Sequence, residues 1–346
     1  MRLGFFVALR ALTIFAAGIQ ISAIGICQTG NTVVGSGYSP PVPLPATRGQ
    51  LLTIYVQGLG VGVTGRRQAE SLPLPTSLAG ISVSLEQAIV PNGPFAVPLL
   101  AVFPVNSCPD RSGPCGTLTG INLQIPYELV LGPYGAGGIS TNSAKLIVSE
   151  NGITGAAVGL NPSSDQLHVL RYGDSLMGSP SIPTAGGGPL PGSPVVTHAD
   201  GSLVTVSCPA HLGEAVVIYA VGLGLGQVLS PPPAALPPPA ATGSAPATHL
   251  LAGQVAVRFD FRLNAAPSKP LFLGSPTVQA WLVAGNVGLY QVNVVVPLQL
   301  PHSAGSCGCP NGPSGCPGPF QPNLTIDLGG LSSYDGAQIC VAVAPH

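Results

Sequence analysis

One stretch of this sequence is written twice. The first copy, residues 49–60, reads GQLLTIYVQGLG, and the second, residues 213–224, reads GEAVVIYAVGLG. Each copy is a short apolar run with an Ile-Tyr pair at its centre and glycines at both ends. Short apolar runs between glycine turns are typical of buried β-strands. The stretch therefore predicts two strands that occupy equivalent positions in two similar units.

Three further segments repeat in the same order, each offset by about 170 residues. They are Leu78–Val83 with Leu251–Val257, Ile121–Pro126 with Val292–Pro297, and Lys145–Val148 with Asn323–Ile326. A period this long is typical of duplicated domains, because solenoid repeats are roughly 20–50 residues long. A chain of 346 residues is long enough for two domains that each bury a core.

The composition favours an all-β fold. The chain has 47 glycines and 39 prolines, and its hydrophobic residues, 45% of the total, fall in short runs between them. Many short strands separated by Gly/Pro turns are typical of β-sandwiches, and we find no long amphipathic helical period after residue 30. We expect two tandem β-sandwich domains.

Strands are predicted wherever an apolar run lies between turn residues. In the first unit they are Leu51–Val56, Ile81–Leu85, Ala96–Phe103, Ile121–Ile125, Lys145–Ser149, Ala156–Leu160 and Leu167–Arg171. In the second unit they are Leu203–Val206, Ala215–Ala220, Val255–Phe259, Val278–Val283, Leu289–Val296, Leu324–Ile326 and Gln338–Val343. Asn122 and Gln124 alternate with apolar neighbours, which predicts a wetter face on that strand.

The N-terminus is typical of a secretory signal. Arg2 and Arg10 precede an uncharged, mostly apolar run over Ala11–Ile26. This run is short for a membrane span of about 20 residues. We therefore predict a cleaved signal over residues 1–28, with a retained anchor as the alternative, and a secreted or cell-surface protein without a membrane span in its mature chain.

The rest of the chain divides at a stretch rich in proline and glycine. The first domain is predicted over residues 29–177, the linker over 178–194 and the second domain over 195–346. A Pro/Ala-rich segment, residues 231–248, stands where the first unit has its 64–77 loop. We expect this segment to be extended and exposed.

The second unit resembles a known domain family. The two runs 213–224 and 288–297 (GLYQVNVVVP) are similar to an uncharacterised domain found at the C-terminal ends of secreted acidobacterial proteins. The first unit matches it more loosely, with GINLQIP at residues 120–126. The resemblance implies secretion and an Ig-like β-sandwich in two tandem copies. It implies no catalytic residues, since the family has no established activity.

The cysteines favour disulfides over a metal site. Export places them in an oxidising compartment, where pairing is the default. The candidates are Cys108, Cys115, Cys208, Cys307, Cys309, Cys316 and Cys340. Cys108 can pair with Cys115 across a turn, Cys316 with Cys309 or Cys307, and Cys208 with Cys340, because terminal strands of Ig-like sandwiches are often neighbours. The alternative is a zinc or copper site made by His302, Cys307, Cys309 and Cys316, although their spacing lacks a Cys-x-x-Cys knuckle.

Catalytic motifs are weak. Gly173–Leu176 spells GDSL, the motif of a family of serine esterases, with Ser175 as the nucleophile. However, the only Asp-x-x-His, Asp165–His168, precedes the serine, whereas that family places it late, and no Gly-x-Asn-Asp block follows. No pair of carboxylates can be assigned to one predicted element. We therefore assign no catalytic residue, no cofactor and no metal.

The charge balance limits the classes of partner that the protein can bind. With 11 Lys and Arg against 12 Asp and Glu, the net charge is −1 and no basic patch exists, which excludes a nucleic-acid partner. Weakly charged surfaces tend to associate with other surfaces. We expect a non-catalytic protein for surface structure, adhesion or recognition, whose partner is an extracellular protein or glycan. The alternatives are a GDSL-type esterase and an extracellular glycan-binding module.

Overall fold

The computed structural model is built from β-strands, and the residues that it describes include no helix. These residues are 20–25, 44–59, 62–88, 93–107, 116–130, 143–163, 167–172, 174, 193–224, 241–246, 250–251, 255–260, 271–273, 278–299, 305–306, 320–321, 323–328, 331–332 and 337–342. The predicted all-β fold is confirmed. No helix in this part of the chain has the length and hydropathy to cross a membrane.

The strands fall into two groups along the chain. The first group is β1 (Gln20–Gly25), β2 (Leu44–Ala46), β3 (Leu51–Gln57), β4 (Arg67–Gln68), β5 (Ser77–Leu78), β6 (Ile81–Gln87), β7 (Phe95–Ala96), β8 (Leu99–Ser107), β9 (Gly116–Gln124), β10 (Ala144–Glu150) and β11 (Ile153–Pro162). The second group is β12 (His168–Val169), β13 (Val196–His198), β14 (Ala210–His211), β15 (Ala215–Val221), β16 (Leu250–Leu251), β17 (Ala256–Asp260), β18 (Leu271–Leu273), β19 (Val278–Leu282), β20 (Leu289–Val295), β21 (Gly305–Ser306), β22 (Phe320–Gln321), β23 (Asn323–Leu328), β24 (Leu331–Ser332), β25 (Ala337–Gln338) and β26 (Val341–Ala342).

Each group forms a sandwich with its own core. In the first, the sheet β1-β3-β9-β8-β4 packs against β2-β11-β10-β6-β5, and β7 pairs with β6. In the second, the sheet β12-β15-β20-β19-β16, with β13 also on β15, packs against β18-β17-β23-β24 and β14-β26-β22-β21, and β25 pairs with β23. The apolar side chains between the layers form a separate buried cluster in each sandwich, as expected for two domains.

The sequence repeat is reproduced in the strand pairing. In the first sandwich Ile54 of β3 is the cross-strand partner of Ile121 of β9. In the second, Ile218 of β15 is the partner of Val292 of β20, and these are the residues that the repeat makes equivalent. Even the parallel pairs correspond, because β2 pairs with β11 as β14 pairs with β26. The two halves therefore share the register of these central strands and the strand order of one sheet, in which β1-β3-β9-β8-β4 corresponds to β12-β15-β20-β19-β16.

The last strand predicted for the first unit pairs with the second sandwich. The strand expected at Leu167–Arg171 forms in part, as β12, but it pairs with β15 of the second sandwich. The backbone N–H of Leu170 also donates to the carbonyl of Tyr219, and that of Val195 donates to Leu170. Residues 167–172 therefore pair with the second sandwich, and the domain end at residue 177 stays a prediction. Most of the predicted linker, residues 178–192, lies outside the described residues.

The face of β9 that was expected to be wetter is buried. Asn122 and Gln124 are both fully covered. Asn122 accepts a hydrogen bond from the hydroxyl of Thr53 at 2.8 Å. Gln124 accepts one from the backbone N–H of Gly243 at 2.7 Å, and Gly243 belongs to the second half of the chain. The alternation of polar and apolar residues is correct, but the polar residues bind buried partners instead of water.

Residues 241–246 cover the side chain of Gln124, and we call them the junction segment. It lies inside the Pro/Ala-rich region that was expected to be exposed, and Gly243 and Pro246 are buried. Thr242 accepts a hydrogen bond from the backbone N–H of Tyr127 at 3.0 Å, and Gly243 accepts one from Leu74 at 2.7 Å. The expectation of exposure is wrong for this segment, because it is anchored to the first sandwich.

An apolar cluster completes the contact between the sandwiches. It combines side chains from both halves: Leu51, Leu74, Leu170, Tyr172, Val195, Val221 and Val287. Beside it, the backbone of Gly288 approaches the carbonyl of Gly49 so closely that a Cβ would come within 2.7 Å of that oxygen. Gly288 also has a φ of +61°, which favours glycine. The two halves therefore share a buried interface.

Residues Gln20–Gly25, inside the predicted signal, form β1 at the edge of the first sandwich and pair with β3. Cleavage at the predicted site would remove this strand and leave β3 at the edge of its sheet. The signal over residues 1–28 stays a prediction.

We expect the two central isoleucines to contribute equally to the two cores. Ile54→Ala and Ile218→Ala remove fully buried side chains and should each lower the free energy of unfolding by about 2–5 kcal/mol. Ile153→Ala, at a side chain that is 70% exposed, is the matched control and should change it by less than about 1 kcal/mol. Urea unfolding of the three variants measures the effect. Equal losses in all three would contradict the assignment of the cores.

The interface is tested at two glycines with a similar backbone. Gly288→Ala and Gly285→Ala both place a side chain at positive φ, but only at Gly288 does the new Cβ collide with the other sandwich. Gly288→Ala should therefore separate the halves and broaden the distance distribution measured by small-angle X-ray scattering. Gly285→Ala should leave that distribution unchanged. Identical scattering from both variants would show that the contact does not hold the halves together.

Candidate functional site

Four titratable side chains lie close together at one corner of the second sandwich. His198 ends β13, Cys208 lies in the turn before β14, His211 ends β14, and Glu214 immediately precedes β15. The antiparallel pairing of β13 with β15 brings the first of these next to the last. Apart from Cys208, these residues carry no signal in the sequence, because their spacing matches no known ligand or catalytic motif.

The turn that carries Cys208 is held by its own hydrogen bonds. The backbone N–H of Cys208 donates to the hydroxyl of Thr205 at 3.1 Å, and the N–H of Thr205 donates back to the carbonyl of Cys208 at 2.9 Å. Reciprocal bonds of this kind fix the direction of a short loop. The side chain of Cys208 is exposed and carries a free thiol.

The imidazole of His198 lies between the thiol and a carboxylate. Its Nε2 is 3.5 Å from Sγ of Cys208 and 3.2 Å from the carbonyl oxygen of the same residue. Its Nδ1 is 2.5 Å from Oε1 of Glu214. The second oxygen of that carboxylate accepts the backbone N–H of His211 at 2.8 Å. We call Cys208, His198 and Glu214 the thiol row.

Electrostatics favour the charged forms of the histidine and the carboxylate. Burial acts to lower the pKa of His198, but the hydrogen bonds to Glu214 and to the Cys208 carbonyl, with the charges of Glu214 and Asp200, raise it overall. Burial likewise acts to raise the pKa of Glu214, but the bonds from His198 and His211 lower it overall. The opposite pKa shifts are those of an ion pair, in which each charged group stabilises the charge of the other.

The thiol row has the order nucleophile, base and orienting carboxylate. When Nδ1–H donates to Glu214, the neutral ring presents Nε2 as an acceptor toward the thiol, which is the tautomer that a general base needs. An acyl-transfer site would also need donors for an oxyanion. The N–H of Cys208, the nearest such donor by sequence, already binds Thr205. The geometry therefore fits chemistry that needs a thiolate but no oxyanion hole.

Metal binding finds no support in the described part of the chain. No group of three His, Cys, Asp or Glu residues there is arranged to hold a metal ion. The set considered from sequence, His302, Cys307, Cys309 and Cys316, lies outside the described residues.

The predicted Cys208–Cys340 disulfide is wrong. The strands that follow these residues do lie side by side, since Ala210 is the partner of Val341. However, Cys208 carries a free thiol, whereas Cys340 is already disulfide-bonded. The strand adjacency was predicted correctly, but the turn at Thr205 directs Cys208 toward His198. The other candidates, Cys108, Cys115, Cys307, Cys309 and Cys316, lie outside the described residues.

The described residues around the GDSL tetrapeptide have a structural role. Asp174 is fully buried, and its Oδ2 lies 3.0 Å from Nε2 of the buried His168 and accepts the backbone N–H of Arg171 at 2.7 Å. The carboxylate thus closes the turn after β12. Ser175 lies outside the described residues, and the described chain contains none of the helices of the α/β sheet that this esterase family uses.

An open cleft of about 970 Å³ lies in the first sandwich, along the loop that precedes β6. Arg66, Arg67, Gln68 and Glu70 give part of its lining a polar and charged character, and none of its lining residues is aromatic. The guanidinium of Arg66 lies 4.9 Å above the ring of Phe103, and burial lowers its pKa. The cleft offers polar groups without a stacking platform.

Comparison with known proteins assigns no family to this chain. No protein-family model matches the chain, and no curated protein is similar to it at a significant level. Among solved structures, the chain is similar to the Yersinia pseudotuberculosis adhesin InvE, at 12% identity and a TM-score of 0.18, with 88% of this chain and 57% of that one covered. It is also similar to the C-terminal domain of the Streptococcus agalactiae AgI/II polypeptide BspA, at 11% identity and a TM-score of 0.19, covering 87% and 95%. A third similarity is to the tandem Ig repeats of Dlar, at 9% identity and a TM-score of 0.14, covering 87% and 94%. Superpositions at such TM-scores do not establish a common fold, so the architecture above stands on the strand pairing alone.

The ion pair in the thiol row predicts how stability depends on pH. A raised histidine pKa stabilises the fold below its unfolded value near 6.5, and this contribution is lost as the pH rises through the folded pKa. A lowered Glu214 pKa stabilises above 4.5, and this contribution is lost as the pH falls. The cost of Glu214→Gln, about 1 kcal/mol, should therefore be largest between these two values.

Urea unfolding over a series of pH values measures this cost. His211→Gln serves as the control, since the ring of His211 is 72% exposed and only its backbone N–H anchors Glu214 firmly. A cost of Glu214→Gln that does not vary with pH would show that the pair is not charged in the folded protein.

Proposed function

We propose that this is an exported, non-catalytic protein of the cell surface or extracellular matrix, which serves structure, adhesion or recognition through two sandwiches that act as one stiff unit. The observation that carries the proposal is the junction between them. Domains joined by a linker move relative to one another unless their interface is large and apolar. Here the junction segment, its hydrogen bonds to Gln124 and Leu74, and the apolar cluster oppose that motion.

Stiffness suits a surface protein better than an enzyme that must close around a substrate. A rigid pair of sandwiches keeps its exposed loops at a constant separation, so a partner can bind both without ordering them first. The weakly charged surface adds to this interpretation, because little repulsion opposes association.

The cleft before β6 is the proposed recognition surface for an extracellular protein. Its charged lining, with Arg67 and Glu70, can form hydrogen bonds with a polar protein surface. A glycan-binding module is the weaker alternative, because sugar rings are usually bound on exposed aromatic faces, and no aromatic side chain lines this cleft. The single tryptophan, Trp281, is half-buried on β19.

Export is supported by the N-terminal sequence. The basic residues Arg2 and Arg10 followed by the apolar run over Ala11–Ile26 have the order that a secretory signal requires. The free Cys208 gives no argument in either direction, since one unpaired thiol occurs in secreted and in retained proteins alike.

Cellular fractionation tests the proposal. We expect the full chain, expressed from its own N-terminus in a bacterial host, to be recovered outside the cytoplasm. Its mass should show that about 25 residues have been removed. Recovery in the cytoplasm with an intact N-terminus would contradict export.

Hydrolysis of a chromogenic ester tests the esterase alternative. We expect the wild type and Ser175→Ala to show the same background rate, since the described fold lacks the α/β sheet of that family. A rate that falls in Ser175→Ala to the level of buffer would overturn the non-catalytic assignment.

A further inference from the structure

The thiol row has a property that a structural role does not require. A buried histidine needs an acceptor for each nitrogen that carries a proton, and Glu214 at Nδ1 with the Cys208 carbonyl at Nε2 supplies these for the charged ring of His198. The thiol of Cys208 is placed in addition at 3.5 Å from Nε2, on an exposed turn that its own hydrogen bonds hold in position. The result is an accessible sulfur with an oriented base beside it.

We propose that Cys208, His198 and Glu214 form a thiol–disulfide exchange site that captures a disulfide-bearing protein as a mixed disulfide. This inference does not depend on the proposed function, since the reaction requires only the folded second sandwich.

The reaction proceeds in one balanced exchange. The exchange begins from the neutral form of His198, in which Nδ1–H donates to Glu214 and Nε2 carries no proton. Nε2 accepts the proton of the Cys208 thiol, and the resulting imidazolium is stabilised by Glu214 at Nδ1–H and by the Cys208 carbonyl at Nε2–H. The thiolate attacks one sulfur of the partner's disulfide, a new S–S bond forms, and the old S–S bond breaks. The second partner sulfur leaves with the electron pair and takes the proton from Nε2. Cys208 is thereby oxidised, one partner sulfur is reduced, and no other reactant is needed.

Three observations favour capture of a protein disulfide over other thiol chemistry. Thiol–disulfide exchange needs no oxyanion hole, and the Cys208 N–H is already bound to Thr205. The sulfur is on the surface, where a macromolecular disulfide can reach it. Cys340, the other described cysteine, is already in a disulfide, so it offers no free thiol to resolve the mixed product.

The charged surroundings support the exchange. The charged groups that act on His198 are Glu214 from the start of β15 and Asp200 from the turn after β13. The ring of His211, from the end of β14, reaches the Glu214 carboxylate at 3.3 Å. The negative groups favour the imidazolium form, which stands beside the thiolate while the exchange proceeds. Asp200 is exposed and accepts a hydrogen bond from the hydroxyl of Ser202 at 2.6 Å. It acts on the ring of His198 through its charge.

The rate of reaction with a dipyridyl disulfide tests the proposal on the full chain. The released thiopyridone is followed by absorbance at neutral pH, and peptide mass spectrometry locates the modified residue. Cys208→Ser sets the background from all other thiols. We expect the wild type to be modified at Cys208, and His198→Gln to lower the rate constant at that residue by about tenfold or more. Glu214→Gln keeps a hydrogen-bond acceptor for Nδ1 but loses the charge, and should lower the rate constant by a smaller factor.

Two controls separate chemistry from folding. Ile153→Ala, which changes an exposed side chain of the first sandwich, should leave the rate constant within about twofold of wild type. In concentrated urea the rates of wild type, His198→Gln and Glu214→Gln should converge, because only the folded chain brings the ring to the sulfur. Circular dichroism confirms that each variant is folded in buffer.

A native His198→Gln that reacts as fast as wild type would overturn the proposal. Modification that mapping places away from Cys208 would do the same. A second experiment uses a folded protein with an exposed disulfide as the substrate, and we expect a covalent adduct that a reducing agent releases. Absence of the adduct with a reactive Cys208 would show that the site reacts with small disulfides but does not capture proteins.

Discussion

The contact that the whole arrangement depends on is the hydrogen bond between the backbone N–H of Gly243 and the side chain of Gln124. Both groups are buried, and a hydrogen bond of this kind contributes about 0.5–1.5 kcal/mol relative to the contacts with water that replace it when the halves separate. Each sandwich thus supplies the partner that the other would otherwise lack. Separation of the halves would expose apolar side chains and break this bond at once, so the junction is opposed by two kinds of cost.

The same dependence on buried partners explains the corner at His198. The ring is nearly covered, and it is held from both sides by groups that come from different strands and turns. A buried imidazole without partners would destabilise the fold, because a polar atom that leaves water without a hydrogen bond costs free energy. The exposed sulfur of Cys208 is the exception, since it keeps its contact with solvent while it lies against the base.

Much of the fold could be predicted from the sequence, because the repeat and the glycine-bounded apolar runs are local signals. The central strands β3, β9, β15 and β20 were all expected near their observed positions. What the sequence could not reveal is which surface covers which. The Asn122–Gln124 face was expected to meet water because nothing local shows that a segment about 120 residues away will cover it. The pairing of β12 with β15 was missed for the same reason, since the chain reaches that strand before the second repeat begins.

The candidate site was harder to predict. His198, Cys208 and Glu214 come from three separate turns and strands, and none has a spacing that a motif search would find. Only the antiparallel register of β13 on β15 brings the histidine beside the carboxylate. The predicted disulfide partner of Cys208 rested on strand adjacency, which is correct, but adjacency does not determine which way a side chain in a preceding turn is directed.

The junction segment also bears on how the duplicated halves can diverge. In the repeat it occupies the place of the loop that borders the cleft in the first copy. The two copies of one ancestral loop therefore carry unequal constraints: one is tied to the neighbouring sandwich through Thr242 and Gly243, while the other contacts its neighbour at Leu74 and most of its residues face solvent. Natural variation would be tolerated at the solvent-facing residues of the second loop and removed from the tied one. Gene duplication would in this way free one loop to acquire new specificity while its twin preserves the architecture.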